Sequence, residues 1–334
     1  MSTPTTAGSL ALWARAQGVP EVVGVDIDGR AIDYARFNAR LNALPCEWAT
    51  GDLSAPVRGR RFDAVVSQPA YVPQPPSVGS TTYLHGGARG DELALRLLGE
   101  IPGLLAQHGR AWVLFDTPAA RPAELSSRVR EALVEPNLDT LVLATAPQST
   151  RTHTIAYASL VDPQLGAGYR DAVERYAKHF EAIGVTELRH VLLLVQHTTV
   201  RATGTVLEPP SLRGFDGVTL ARIRAGANAA QASDDTLLDT AVVPAPEAWL
   251  VYEEALGDEP RTRSRVQFDG HRGIGQGLSD TAAVLLQSLR DHQPLHAAIE
   301  AQATAIDAEP GELVASVLEF VRGGLVSGLL VVRE

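Results

Sequence analysis

Short apolar runs separated by helical segments recur up to about residue 200, and this alternation limits the possible fold more than any other feature. The runs are 21-EVVGVDI-27, 62-FDAVVS-67, 109-GRAWVLFD-116, 138-LDTLVLAT-145 and 188-LRHVLLLVQ-196. Between them apolar residues fall at helical spacing: Ile32, Ala35, Phe37 and Leu41 in one stretch, Leu93, Leu97, Leu98, Ile101 and Leu104 in another. Further helices are expected at 9–17, 124–134 and 169–183, and a short strand at 46–49. Strands apolar on both faces and alternating with helices predict an α/β, doubly wound, mostly parallel sheet. In such sheets ligands bind beyond the carboxyl ends of the strands. Asp26, Asp52, Gln68 and Asp116 fall at or just after those ends.

Those positions carry residue types suited to binding. An acid ending the second strand of a nucleotide-type fold accepts hydrogen bonds from ribose hydroxyls, and Asp26 stands there; taken alone, an Asp after a strand more often caps a helix. Asp28 suits a cap of the next helix. Asp52, in 50-TGDLSAP-56, can accept from an adenine amino group, with the Leu53 amide beside it. In 62-FDAVVSQPAYVPQPP-76 the apolar run breaks into Gln68-Pro69-Ala70-Tyr71. The Gln68 carboxamide offers an acceptor and donors, Pro69 fixes its φ, and Tyr71 can stack on a planar group. An amide nitrogen is a poor nucleophile because its lone pair is delocalised. An acceptor that holds its N–H can turn that lone pair toward an electrophile. The plainer alternative is a proline-rich surface turn.

Composition excludes several classes. The 334 residues suffice for two domains, and 45% hydrophobic with 20% charged content is ordinary for a globular chain. A formal charge of −10 argues against a surface built for nucleic-acid backbones. Cys46 is the single cysteine, so neither an internal disulfide nor a cysteine zinc site is expected. The nine histidines lack metal-ligand spacing, so no metal is expected; His85 and His153 could serve as bases, but lone histidines in loops are more often polar surface. No apolar run reaches the roughly 18 residues of a membrane span, and the first residues do not resemble a signal peptide. A cytoplasmic location is the expectation. In 85-HGGARGDELALRLL-98, Gly86, Gly87 and Gly90 allow a tight turn. Asp91 can begin a helix, and Arg89 could pair with an anionic substrate group, although acids favouring a helix N-terminus explain the segment more simply.

The order of 22-VVGVDIDGRAIDYARFNARLNAL-44, 50-TGDLSAP-56 and 62-FDAVVSQPAYVP-73 resembles the class I S-adenosylmethionine-dependent methyltransferases. The nearest branch is the N-methyltransferases with an (Asn/Asp/Ser)-Pro-Pro-(Tyr/Phe) motif, which includes the release-factor glutamine and adenine-amino methyltransferases. The resemblance spans roughly residues 5–197. It implies a seven-stranded-type sheet and S-adenosyl-L-methionine as cofactor. It also implies that Asp26 binds the ribose, Ile27 packs on the adenine, and Asp52 with Leu53 meets the adenine edge. Gln68, Pro69, Ala70 and Tyr71 would hold the methyl acceptor. Two departures stand out. Of the family's glycine-rich cofactor loop only Gly8 matches, with Pro4 and Thr6 where other glycines belong, so a shortened N-terminus without the first strand is expected. Gln68 and Ala70 replace the usual Asn and second Pro.

Residues 201–247 read as a linker with one helix near 218–232. Residues 248–334 read as a winged-helix-like accessory domain, and 278–303 loosely resemble PqqD-like peptide-binding modules. The 310–322 helix carries Glu312, Glu319 and Arg322, too acidic a face for reading DNA. The sequence therefore points to an N-methyltransferase acting on a protein, peptide or small molecule. A degenerate, non-catalytic methyltransferase-like scaffold is one alternative, and an RNA or DNA adenine methyltransferase another.

Overall fold

The computed structural model describes residues 8–76, 78, 83–118, 121–135, 137–198, 204–209, 212–255, 262–268, 276–291 and 293–333. Pro4 and Thr6 lie outside them. The chain divides into two compact units, 1–208 and 209–334.

In the first unit the order is α1 (Ser9–Ala16), β1 (Val23–Asp26), α2 (Gly29–Leu41), β2 (Glu47–Thr50), β3 (Phe62–Ser67), β4 (Val72–Pro73), β5 (His85–Gly87), α3 (Glu92–Leu104), β6 (Leu105–Thr117), α4 (Pro122–Leu133), β7 (Leu138–Ala144), β8 (Gln148–Ser149), α5 (Thr150–Val161), α6 (Ala167–Ala182), β9 (Glu187–His197) and β10 (Gly204–Leu207). The main sheet runs β10-β7-β9-β6-β3, with β8 also on β9. It is mixed, which corrects the expectation of a mostly parallel sheet. β3 pairs with β6 and β10 with β7 in parallel, but β9 runs antiparallel between β6 and β7. A strand covered on both faces is apolar whichever way it runs, so 188-LRHVLLLVQ-196 carries no sign of its direction. β1 and β2 form a separate parallel pair, and no described strand joins β1 to β3. Val23 and Val25 of β1 nevertheless share one core with Val65 of β3, Leu97 and Ile101 of α3, Phe115 of β6, and Val191 and Leu193 of β9.

α2 buries a different stripe from the one its large residues suggest. Ile32, Ala35 and Ala39 face inward, while Tyr34, Phe37 and Leu41 are exposed, Leu41 at 71%. Both stripes have spacings of three and four, so periodicity alone does not choose between them. The small alanines let the helix lie close to the sheet. α5 lacks a continuous apolar stripe: its buried residues are His153, Thr154, Tyr157 and Ala158.

The second unit contains α7 (Gly217–Ala229), α8 (Asp234–Leu238), β11 (Val242–Pro244), β12 (Ala248–Glu254), β13 (Thr262–Phe268), β14 (Gln276–Leu278), α9 (Asp280–Ser288), α10 (Leu295–Ile306), α11 (Pro310–Ser327) and β15 (Leu330–Val332). β12, β13 and β14 form an antiparallel sheet, and β11 pairs antiparallel with β15. Leu237, Val242, Leu286, Ile299, Val321 and Leu330 belong to its core. The stretch read as a linker is thus built into the two units: β10 extends the first sheet, and α7, α8 and β11 belong to the second unit.

Candidate active site

β3 ends at Ser67, and Gln68-Pro69-Ala70-Tyr71 turns away from it. The turn is held by main-chain bonds. Val72 N–H donates to Leu84 O at 3.0 Å and Gln74 N–H to Gly87 O at 2.8 Å, around the short β4–β5 pairing. Two glycines allow this approach. A Cβ on Gly86 would stand 2.3 Å from Ala70 O and 2.0 Å from Gly90 O; one on Gly90 would stand 2.4 Å from Tyr71 O. Gly90 also has φ +98°, which favours glycine. The Glu92 carboxylate accepts from the amides of Arg89 and Gly90 at 2.8 and 2.9 Å, so the loop is fixed to the first turn of α3. Ala70 is buried and Tyr71 half-buried. The Gln68 side chain hydrogen-bonds to Tyr71. Burial, then the charge of Asp116, raises the Tyr71 pKa, against which the Gln68 bond acts.

α3 connects this turn to the loop after β2. Asp91, which precedes α3 and is fully buried, accepts from Thr117 Oγ1 at 2.7 Å and pairs with Arg128 of α4. One turn after Glu92, Arg96 pairs with Asp52; one turn further, Glu100 accepts from the Ser54 amide at 3.0 Å. Positions 92, 96 and 100 share one helical face, so α3 carries contacts to both loops.

On β1, Asp26 is buried at the strand end and its Oδ1 accepts from the Asp28 amide at 2.9 Å. Burial raises its pKa, with that amide acting the other way. Asp28 caps α2 through the Arg30 amide at 2.9 Å. Ile27 is 49% exposed, and Leu53 is buried in a left-handed conformation with φ 43°. Asp52 is half-exposed and engaged by Arg96 through Oδ1. Gly8 lies at the start of α1 with φ +89°, and its added Cβ would meet the Trp48 ring at 2.5 Å. A Cβ on Gly24 would meet the same ring at 2.3 Å. In this structure Gly8 therefore serves the packing of Trp48.

The sequence reading misses a polar cluster beside the Gln68–Tyr71 turn. Ser67 of β3 is in register with Val113 of β6, which places Asp116 three residues further along β6, beside the turn. Tyr157 Oη donates to Asp116 Oδ2 at 3.1 Å, and His190 Nδ1 bonds to Oδ1. His153 is buried rather than a surface residue, and its ring lies 6.0 Å from that of His190. His85 is buried too, with Nε2 3.3 Å from Tyr176 Oη. Burial raises the Tyr176 pKa to about 12 and lowers those of His85 and His153. The His153–Tyr157 spacing of four is the available signal. Among the described residues no group of three His, Cys, Asp or Glu could hold a metal, and no helix is long and apolar enough to cross a membrane.

Residues 5–127 match the family model of the methyltransferase small domain. A putative protein N5-glutamine methyltransferase of Methanocaldococcus jannaschii is 31% identical over 111 residues, covering 32% of this chain and 56% of the relative. The chain thus spans little more than half the length of that relative. Among solved structures, a ribosomal protein L11 methylase from Lactobacillus delbrueckii is 21% identical, with a TM-score of 0.31 over 42% of this chain and 59% of that one. PKMT2 from Rickettsia typhi is 12% identical, with a TM-score of 0.36 over 100% of this chain and 71% of that one. Both likenesses are too distant to carry an argument. The sequence match carries the assignment: residues 5–127 are similar to the methyltransferase small domain, and over 111 residues the chain is similar to the archaeal glutamine methyltransferase.

Proposed function

We propose that this chain transfers a methyl group from S-adenosyl-L-methionine to a nitrogen of a protein or peptide, with a glutamine side chain as the favoured acceptor. The observation that carries this reading is the fixed turn at Gln68–Tyr71, which follows β3 in a segment matching the methyltransferase small domain. The glutamine acceptor is suggested by the archaeal relative. In this reading Asp26 accepts from the ribose hydroxyls, Ile27 offers its exposed face to the adenine, and Asp52 Oδ2 with the Leu53 amide meets the adenine edge. Gly8 lies near the cofactor's amino-acid end. The Gln68 carboxamide and the backbone of Pro69 and Ala70 hold the acceptor N–H, and Tyr71 covers the acceptor plane. The cofactor supplies an electrophilic methyl on sulfonium; these residues supply alignment, a large part of the rate gain available to such a displacement.

The ion pair of Asp52 with Arg96 favours a second reading, a methyltransferase-like scaffold without catalysis, because that carboxylate is already engaged. In either case α9–α11 followed by β15 is read as a winged-helix-like accessory module for peptide or protein contact. Labelled methyl transfer to the peptide acetyl-Gly-Gln-Gly-amide tests the first reading. Transfer that falls by about tenfold or more in Gln68→Ala supports it; no transfer by the unaltered chain at any peptide concentration favours the scaffold.

A further inference from the structure

Methyl transfer as described above leaves the cluster around Asp116 without a use. Asp116 is 2% exposed and divides its carboxylate between two partners, Tyr157 Oη on Oδ2 and His190 Nδ1 on Oδ1. His190 stands directly opposite Asp116 in the β6–β9 ladder. A carboxylate on Nδ1 selects the tautomer with its proton there and leaves the lone pair on Nε2. The side chain of His190 is 44% exposed, so Nε2 remains open to a bound molecule and to water. His153 on α5 is 5% exposed, and its Nε2 is buried without a hydrogen-bond partner. Tyr71 connects this cluster to the acceptor turn, since it bonds to Gln68 and feels the charge of Asp116.

Methylation of a neutral nitrogen releases a proton. The nitrogen lone pair forms the new C–N bond, the C–S pair returns to sulfur, and the sulfonium becomes a neutral thioether. The nitrogen stays cationic until its N–H bond breaks. For an amide, loss of that proton as the bond forms also frees electron density that resonance otherwise withholds. We propose that His190 Nε2 accepts this proton, with Asp116 as the residue that positions the imidazole and stabilises the imidazolium. The proton then passes from the exposed imidazolium to water. This role rests on the methyl-transfer reading above.

The electrostatics agree with the geometry. The hydrogen bond to Asp116 raises the His190 pKa, and burial opposes it. Asp116 from β6 and His153 from α5 face His190, while Tyr157 of α5 holds the other oxygen of Asp116 and Tyr71 feels the charge of that carboxylate. Burial disfavours the charged form of His153, and Asp116 supplies the charge in direct contact with the imidazole.

The test uses the full chain, labelled S-adenosyl-L-methionine and acetyl-Gly-Gln-Gly-amide between pH 5.5 and 9, with S-adenosylhomocysteine calorimetry alongside. In the unaltered chain kcat should rise with pH through a midpoint above the ordinary histidine value of about 6.5. His190→Gln should lower kcat by about 10²–10⁴-fold and remove that rise, with S-adenosylhomocysteine affinity unchanged. Added imidazole should restore part of the rate in His190→Gly, which a structural role would not allow. Asp116→Asn should move the midpoint lower. Unaltered kcat and pH profile in His190→Gln would overturn the proposal while methyl transfer stands. Absence of S-adenosylhomocysteine binding to the unaltered chain would instead overturn the methyl-transfer reading, and this proposal with it.

Discussion

Replacing Gly86 by alanine tests whether close packing holds the Gln68–Tyr71 turn, the proposed acceptor site. The new Cβ would lie 2.0 Å from Gly90 O and 2.3 Å from Ala70 O, both main-chain atoms. Ordinary contact needs more than about 3 Å, so one strand must retreat by roughly 1 Å. Overpacking of this kind costs about 1–3 kcal/mol, or on the order of 2–12 °C in Tm for a unit of this size. Because the retreating atoms belong to the turn itself, a displacement near 1 Å should lower kcat by roughly 100-fold. Cofactor affinity should hold, since Asp26 is on another strand. Gly103→Ala is the control: its Cβ meets nothing within 4 Å, and Tm should stay the same or rise slightly. Melting curves, S-adenosylhomocysteine titration and labelled methyl transfer read all three effects. A Gly86→Ala protein with unaltered Tm and kcat would refute the packing argument.

Two further predictions concern stability. Asp91→Ala removes the acceptor of Thr117 and the partner of Arg128 inside the fold; it should cost about 3–5 kcal/mol, read by denaturant unfolding. His153 has a lowered pKa, so the unfolded state binds its proton more readily and the folded state loses stability as pH falls below about 6.5. Melting temperatures from pH 7.5 to 5 should therefore drop less in His153→Phe than in the unaltered chain; an equal drop would contradict this. His190, with its raised pKa, acts with the opposite sign, adding stability at low pH that is lost as pH rises through its folded pKa.

The strands of the first unit are legible in the sequence because their apolar runs are short and bounded. Their directions are not, since β9 is as apolar as the strands on either side of it although it runs against both. The turn Gln68-Pro69-Ala70-Tyr71 is legible as a break after the apolar run, but its support is not: Gly86 and Gly90 make room for the main-chain oxygens of Ala70 and Tyr71, which come much earlier in the chain. The Asp116 cluster draws on β6, α5 and β9, elements remote in sequence, and the apolar stripe of α5 is broken because His153 and Thr154 share its buried face with Tyr157 and Ala158. In α2, Ala35 and Ala39 pack inward beside Ile32, while the larger Phe37 and Leu41 face solvent.

The central claim is that this chain binds S-adenosyl-L-methionine through the end of β1. Calorimetric titration of the unaltered chain and of Asp26→Ala with S-adenosylhomocysteine tests it most directly. The account predicts saturable one-site binding that is lost in Asp26→Ala while the melting temperature is kept. Equal binding by both proteins, or none by the unaltered chain, would contradict it.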